Sequence, residues 1–237
     1  MLVLASASPR RRELLTQAGY SFEVHPADIP EDPLPNEDPI AYVTRLAREK
    51  AEAVFAELSY KTPGAPGPSH LGTWETTNPR SAPNPALYQG TTSVVPQTHQ
   101  NEVRALAPEG VLSETLTVLA ADTTVTLDNQ ILGKPSDPAD AARMLRLLSG
   151  RTHNVITGVA LLTATSTQVA SETTAVTFIA LSEKDIAAYV ATGEPMDKAG
   201  AYAIQGRAAR WIPRIEGDYF NVVGLPIALV SALLDSL

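Results

Sequence analysis

The sequence reads as an α/β globule, and three observations carry that reading. Short apolar runs with strand character alternate with capped, amphipathic helical stretches. At 237 residues the chain is long enough to bury a sizeable core in one large domain or two small ones. Its hydrophobic fraction of 44% and mean hydropathy of −0.04 are those of an ordinary globule.

Taken in order, residues 1–5 form a short strand. Ser8 caps a helix with Pro9 at its first position, Leu14, Leu15 and Ala18 inward, and Gly19 as its stop. Arg10, Arg11 and Arg12 fall in the first turn of that helix, the wrong sign for the positive end of its dipole. With free backbone N–H groups, Ser6 and Ser8 beside them, they make either an anion site suited to phosphate or a solvated basic turn. Residues 22–24 give a second strand, followed by a loop rich in Pro, Asp and Glu that carries Asp28, Glu31 and Asp32. Asp38-Pro39 opens a long helix to about Leu58, with Val43, Leu46, Ala47 and Val54 on its apolar stripe. Lys50 falls on the same stripe, where a lysine either snorkels or points into a cleft. Residues 59–114 are dense in Pro, Gly, Ser, Thr and Asn without any period, and read as a disordered or loosely packed insertion within one domain. His70 and His99 lie there without metal-ligand spacing.

Residues 118–135, VLAADTTVTLDNQILGKP, are the most informative stretch. An apolar run meets Asp122, alternation continues to Leu127, Asp128-Asn129-Gln130 supplies turn chemistry, and Ile131-Leu132 returns toward Gly133-Lys134-Pro135. The hairpin brings Asp122 and Lys134 toward one end of the sheet. An acid ending a core strand beside a lysine suits a carboxylate that holds a metal or water next to an anion; the plain alternative is an edge acid and a surface lysine. Asp137-Pro138 then starts a helix stopped by Gly150. Residues 155–162 and 174–181 read as neighbouring strands, Ser182 and Asp185 cap a helix ending at Gly193, and residues 193–206 have loop character. Residues 211–215 read as a strand, 217–224 as a loop, and 225–234 as a closing apolar helix.

A net charge of −8 and a pI near 5.0 argue against broad nucleic-acid or membrane-surface binding, though not against a small anion met by a local basic cluster. The chain has no cysteine, so it has no disulfide framework or thiolate metal site, as expected of a cytoplasmic protein. The first residues are not a secretory signal, and no run approaches the roughly 20 apolar residues of a membrane span. Arg10, Arg11, Lys50, Lys134 and Lys198 stand at element ends or inward faces, as do Glu31, Asp122 and Asp197. Cations that neutralise phosphate oxygens, with carboxylates that bind Mg²⁺ or Mn²⁺ and orient water, are the inventory of a phosphoanhydride hydrolase.

Seven ordered blocks resemble the Maf family of nucleoside triphosphate pyrophosphatases: LASASPRRREL (4–14), RLAREKA (45–51), AADTTV (120–125), GKP (133–135), LSGRTHNVITGV (148–159), EPMDKAGAYAIQG (194–206) and GDYFNVVGLP (217–226). The resemblance covers nearly everything outside the 59–114 insertion, which is its main departure. It implies a long mixed sheet flanked by helices, two lobes around a deep cleft, and usually a homodimer. It also implies hydrolysis of an NTP to NMP and pyrophosphate with a divalent cation. Asp122 matches the catalytic acid, as general base or activator of metal-bound water, and Glu31 matches a metal-associated acid. Arg11, Lys50 and Lys134 match phosphate-contacting residues, joined on the phosphate side by Ser8 and Lys198. Arg10, Thr123 and Gln205 match the branch acting on dTTP and UTP rather than 7-methyl-GTP. Gln205 is placed to hydrogen-bond the O4/N3 edge of a pyrimidine.

Two enzymatic rivals fit poorly. A haloacid-dehalogenase-type phosphatase needs a second acid two residues after the first, where Thr124 stands, and no GxxxxGK[ST] run is present for a P-loop. A nucleotide-binding regulator of cell division with little catalysis is the alternative from another class. It predicts binding without turnover.

Overall fold

The protein is described by a computed structural model over residues 1–60 and 116–237. The expected insertion at 59–114 lies outside the described residues except for Ser59 and Tyr60, which close a long helix. The elements are β1 (Leu2–Leu4), α1 (Pro9–Gln17), β2 (Glu23–Val24), α2 (Pro39–Tyr60), β3 (Thr117–Leu127), β4 (Gln130–Leu132), α3 (Pro138–Leu148), β5 (Thr152–Leu162), β6 (Thr167–Thr177), α4 (Glu183–Val190), β7 (Arg214–Glu216), α5 (Tyr219–Val223) and α6 (Ile227–Asp235). Three 3₁₀ turns, Glu194–Asp197, Ala199–Ala201 and Arg207–Trp211, lie between α4 and β7.

The expected mixed sheet is present, with strands in the order β2-β1-β3-β5-β6-β7 and β4 paired to β3. Helical crossovers through α1 and α2 make β1 parallel to both β2 and β3, whereas the strands from β3 onward pair antiparallel, β3–β4 and β5–β6 as hairpins and β3–β5 and β6–β7 across longer connections. Helices cover both faces. On one, Ala47, Ala51 and Val54 of α2 pack against Val118, Ala120 and Ala160. On the other, Leu14 and Leu15 of α1 join Val223 and Val230 over Leu119, Ala121, Val159 and Leu161. Farther along that second face, α3 and α4 close over Val125, Leu127, Val155 and Val176. Among the described residues, no helix is long and apolar enough to cross a membrane.

Two features of β3 position the site. Asp122 is not at the end of its strand, as the sequence had suggested, but in the middle of an eleven-residue one. It comes where edge pairing is interrupted: on the side away from β5, β1 pairs with residues 117–119 and β4 with residues 125–127, which leaves 120–124 without a strand partner. The second feature is Gly158, which lies opposite Asp122 in the β3–β5 register. A Cβ there would overlap the carbonyl of Val43, so the missing side chain lets α2 press directly onto the sheet beside Asp122.

Three local expectations change. Strand β6 begins at Thr167 rather than 174, because its first half alternates on a partly exposed surface with few apolar residues to announce it. Residues 211–215 divide between the last 3₁₀ turn and β7. The expected loop at 217–224 contains α5, capped by Asp218, whose Oδ1 accepts from Phe220 N at 2.7 Å. Five residues are too few to show helical periodicity.

Candidate active site at the gap in the sheet edge

Lys50 is the centre of the site. It lies on the sheet-facing stripe of α2, and its Nζ donates to Asp122 Oδ1 at 2.7 Å and to Glu31 Oε1 at 2.5 Å. The Lys50 and Asp122 side chains are only 9% and 12% exposed, while Glu31 is 47% exposed. One ammonium thus joins a buried carboxylate on the central strand to a wetter one on the β2–α2 loop. That loop is fastened by α2: Tyr42 OH donates to the Glu31 carbonyl at 2.8 Å, and Arg45 Nη2 to the Asp32 carbonyl at 3.2 Å. Arg45 also grips Glu37 through Nε at 2.6 Å.

Arg11 closes the gap from the opposite face. Its Nη1 donates to the Ala121 carbonyl at 2.6 Å and to Ser6 Oγ at 3.2 Å. Its Nε donates to the Gly224 carbonyl at 2.8 Å and its Nη2 to Thr123 Oγ1 at 3.0 Å. Ala121 is one of the residues without a strand partner on the edge away from β5, so the guanidinium supplies the donor that a neighbouring strand would have supplied. Ser8 acts as the N-cap of α1, accepting from Arg11 N. Thr123 Oγ1 also meets Thr157 Oγ1 at 2.9 Å.

The whole chain, residues 1–237, matches the family described as Maf-like protein. The chain belongs to the Maf family. Proteins of that family named dTTP/UTP pyrophosphatase are similar to it along almost their whole length. The one from Koribacter versatilis is 44% identical over 233 residues, covering 98% of this chain and 92% of that protein. The one from Shewanella denitrificans is 43% identical over 238 residues, covering 98% and 93%. The one from Moorella thermoacetica is 44% identical over 235 residues, also covering 98% and 93%.

In this Maf protein the expected site residues fall into two linked groups. Arg11, Glu31, Lys50, Asp122 and Thr123 meet around the edge gap. Partial burial works against ionisation of Glu31, but the hydrogen bond and charge of Lys50, with Lys134 and Arg11 beyond, outweigh it and hold the carboxyl below its ordinary value. Burial lowers the Arg11 pKa, a trend opposed by Asp122 and Glu31. Tyr42 is pushed up to about 12, first by burial and then by the charges of Asp122 and Glu31.

The second group lies on the turns after α4. Gly200 N donates to the Gly133 carbonyl at 3.1 Å, which ties the segment bearing Lys198 to the one bearing Lys134. Lys198 pairs with Asp197. Burial raises the Asp197 pKa, but Lys198, with Arg10 beyond, outweighs it and holds the carboxyl low. Gln205 is exposed on the segment that follows. Among the described residues, no group of three or more His, Cys, Asp or Glu forms a metal centre.

Sequence reasoning missed Tyr42, Thr157, Gly158 and Glu194. Tyr42 had a signal, since 42, 46 and 50 follow the i, i+4, i+8 spacing of one helix face. Thr157 and Gly158 act through contacts between segments distant in sequence, and Glu194 through a tertiary contact with Tyr189 and Arg207, five and thirteen residues away; a single chain announces neither.

Proposed function

We propose that this Maf protein hydrolyses dTTP and UTP to the nucleoside monophosphate and pyrophosphate. The observation that carries the proposal is the Glu31–Lys50–Asp122 chain of ion pairs in the edge gap, with Arg11 and Lys134 close enough to bias its charge. The names of the relatives supply the substrate class.

In the proposed reaction, water attacks the α-phosphorus. Asp122 takes its proton, the bond from α-phosphorus to the bridging oxygen breaks, and pyrophosphate leaves with that electron pair. Lys50 exchanges its carboxylate partners for phosphate oxygens when the triphosphate arrives, and Lys134 and Lys198 neutralise the leaving pyrophosphate. Arg11 spends four of its five N–H groups on the fold and keeps one for substrate. Ser8, at the start of α1, adds to the phosphate side. Gln205 and Arg10 meet the base side, and Thr123, whose hydroxyl is committed to Arg11 and Thr157, shapes the floor between them.

A divalent cation fits this donor set. Glu31 and Asp122 each place one oxygen on Lys50, leaving Oε2 and Oδ2 outside that pairing, and Mg²⁺ or Mn²⁺ takes one or two carboxylates and completes its shell from phosphate and water. When bound, the ion supplies charge neutralisation and acidifies coordinated water. A single Maf domain over 1–237, assembled as a cytoplasmic homodimer, belongs to the same proposal. A nucleotide panel with Mg²⁺ or Mn²⁺ tests it: dTTP and UTP should lead and release pyrophosphate, while orthophosphate as the direct product would overturn it.

A further inference from the structure

Gln205 is exposed, and its side chain makes no hydrogen bond among the described residues, yet the backbone on both sides of it is tightly held. Two residues before it, Ala203 N donates to Tyr189 OH at 3.1 Å. Two residues after it, Arg207 N donates to Glu194 Oε1 at 3.1 Å. The two acceptors are themselves joined, because Tyr189 OH donates to the same Glu194 Oε1 at 2.9 Å. Within the segment, Gly206 N closes a turn onto the Ala203 carbonyl at 3.0 Å. A Cβ on Gly206 would overlap Glu194 Oε1. Gly206 is extended, with φ −103° and ψ −153°, so the lack of a side chain serves this close approach rather than an unusual backbone.

The platform beneath is anchored in the core. Tyr189 is 2% exposed and its ring meets Trp211 edge-on at 5.1 Å. Burial, followed by Glu194, raises the pKa of its hydroxyl, so the proton it gives Glu194 stays in place.

We propose that Glu194 and Tyr189 are positioning residues that set where Gln205 meets the base, and so set pyrimidine selectivity. The inference rests on the reading of Gln205 as the base-contacting residue. Uracil offers an acceptor at O4 and a donor at N3, and cytosine offers the reverse. A held turn fixes the distance and direction from which the amide reaches the base edge, and a loosened turn gives up that placement.

The test is steady-state kinetics on UTP and CTP for the full chain and for Gln205→Ala, Glu194→Ala, Glu194→Gln and Tyr189→Phe. Gln205→Ala should reduce the preference for UTP over CTP; an unchanged preference would overturn the Gln205 reading and this inference with it. With that reading upheld, Glu194→Ala should raise KM for UTP about tenfold, leave kcat within about twofold, and cut the UTP preference by a similar factor. Glu194→Gln should restore both values, because its amide oxygen can accept from Tyr189 and Arg207 alike. An unchanged preference in a folded Glu194→Ala protein, or a fall in kcat alone, would overturn the positioning role while leaving Gln205 in place. Should Glu194→Ala fail to fold, Tyr189→Phe decides: it keeps the ring and removes one oxygen. A threefold or larger rise in KM with weaker selectivity supports the role, and wild-type values overturn it.

Discussion

Adjacent residues on β3 face opposite ways and live by different rules. Asp122 points toward α2 into an ionic group in which one lysine serves two acids, one of them half exposed. Thr123 points the other way into a network without acids, in which the Arg11 guanidinium, Thr157 and the Gly224 carbonyl already meet its hydroxyl. The ionic side is built to exchange partners, because Lys50 loses little by trading a carboxylate for a phosphate oxygen. The acid-free side is nearly saturated, and any rearrangement there leaves a buried donor or acceptor bare. The alternation of a strand thus separates chemistry from scaffolding across one peptide bond.

The sharpest attempt to break that contrast is Asp122→Asn. It keeps shape and an acceptor for Lys50 but removes the base, so kcat should fall by about 10²–10⁴-fold while the melting temperature moves little. Equal losses of activity and fold would mean that Asp122 is scaffold too.

Much of the ionic side was legible from residues alone. Lys50 betrayed itself as a charge on an apolar helical stripe, and Asp122 as an acid interrupting a strand with a turn soon after. The capped helices α1 and α3 were equally plain, because Ser8-Pro9 and Asp137-Pro138 write their starts locally. The acid-free side was far less readable. Its members, Thr157, Asn221 and the Gly224 carbonyl, come from β5 and from the region of α5, a helix too short to show a period. The gap in edge pairing is set by where β1 and β4 run out, and Gly158 matters only through its register with Asp122 and the approach of α2. Such facts belong to pairs of segments.

A buried histidine on the acid-free face gives the next effect in size. His153 is 2% exposed, with Nε2 2.8 Å from Tyr202 OH and Nδ1 without a hydrogen-bond partner among the described residues. Burial lowers its pKa from 6.5 to about 4. The folded state therefore resists a proton that the unfolded chain accepts. Stability from this group is complete above pH 6.5 and is lost as pH falls through that window, levelling off below about 4. At 1.36 kcal/mol per pH unit the loss sums to roughly 3 kcal/mol. Chemical denaturation of the wild type and His153→Gln at pH 7 and pH 4.5 should show the wild type losing more. Parallel losses would remove His153 as the cause.

Gly158→Ala probes the seam between the two sides. The added methyl meets Val43 backbone rather than a flexible side chain, so α2 must retreat, at a cost of about 1–3 kcal/mol. Because Lys50, Tyr42 and the fastening of Glu31 all ride on α2, activity should fall by a larger factor than stability alone explains. Denaturant melts and kcat at a temperature where the variant is fully folded separate the two.

Thr123→Val is the mildest test and the one aimed most directly at the scaffold. Valine keeps the volume and the branch but removes the oxygen, leaving Arg11 Nη2 and Thr157 Oγ1 each short of one partner. Thr157 can still donate to the Asn221 carbonyl at 3.3 Å, and Arg11 keeps its bonds to Ser6, Ala121 and Gly224, so the loss should stay near 1 kcal/mol. If Thr123 only shapes the site floor, kcat should hold and KM for UTP should rise by a small factor. A kcat loss approaching that of Asp122→Asn would place Thr123 with the chemistry and erase the division between the two faces of β3.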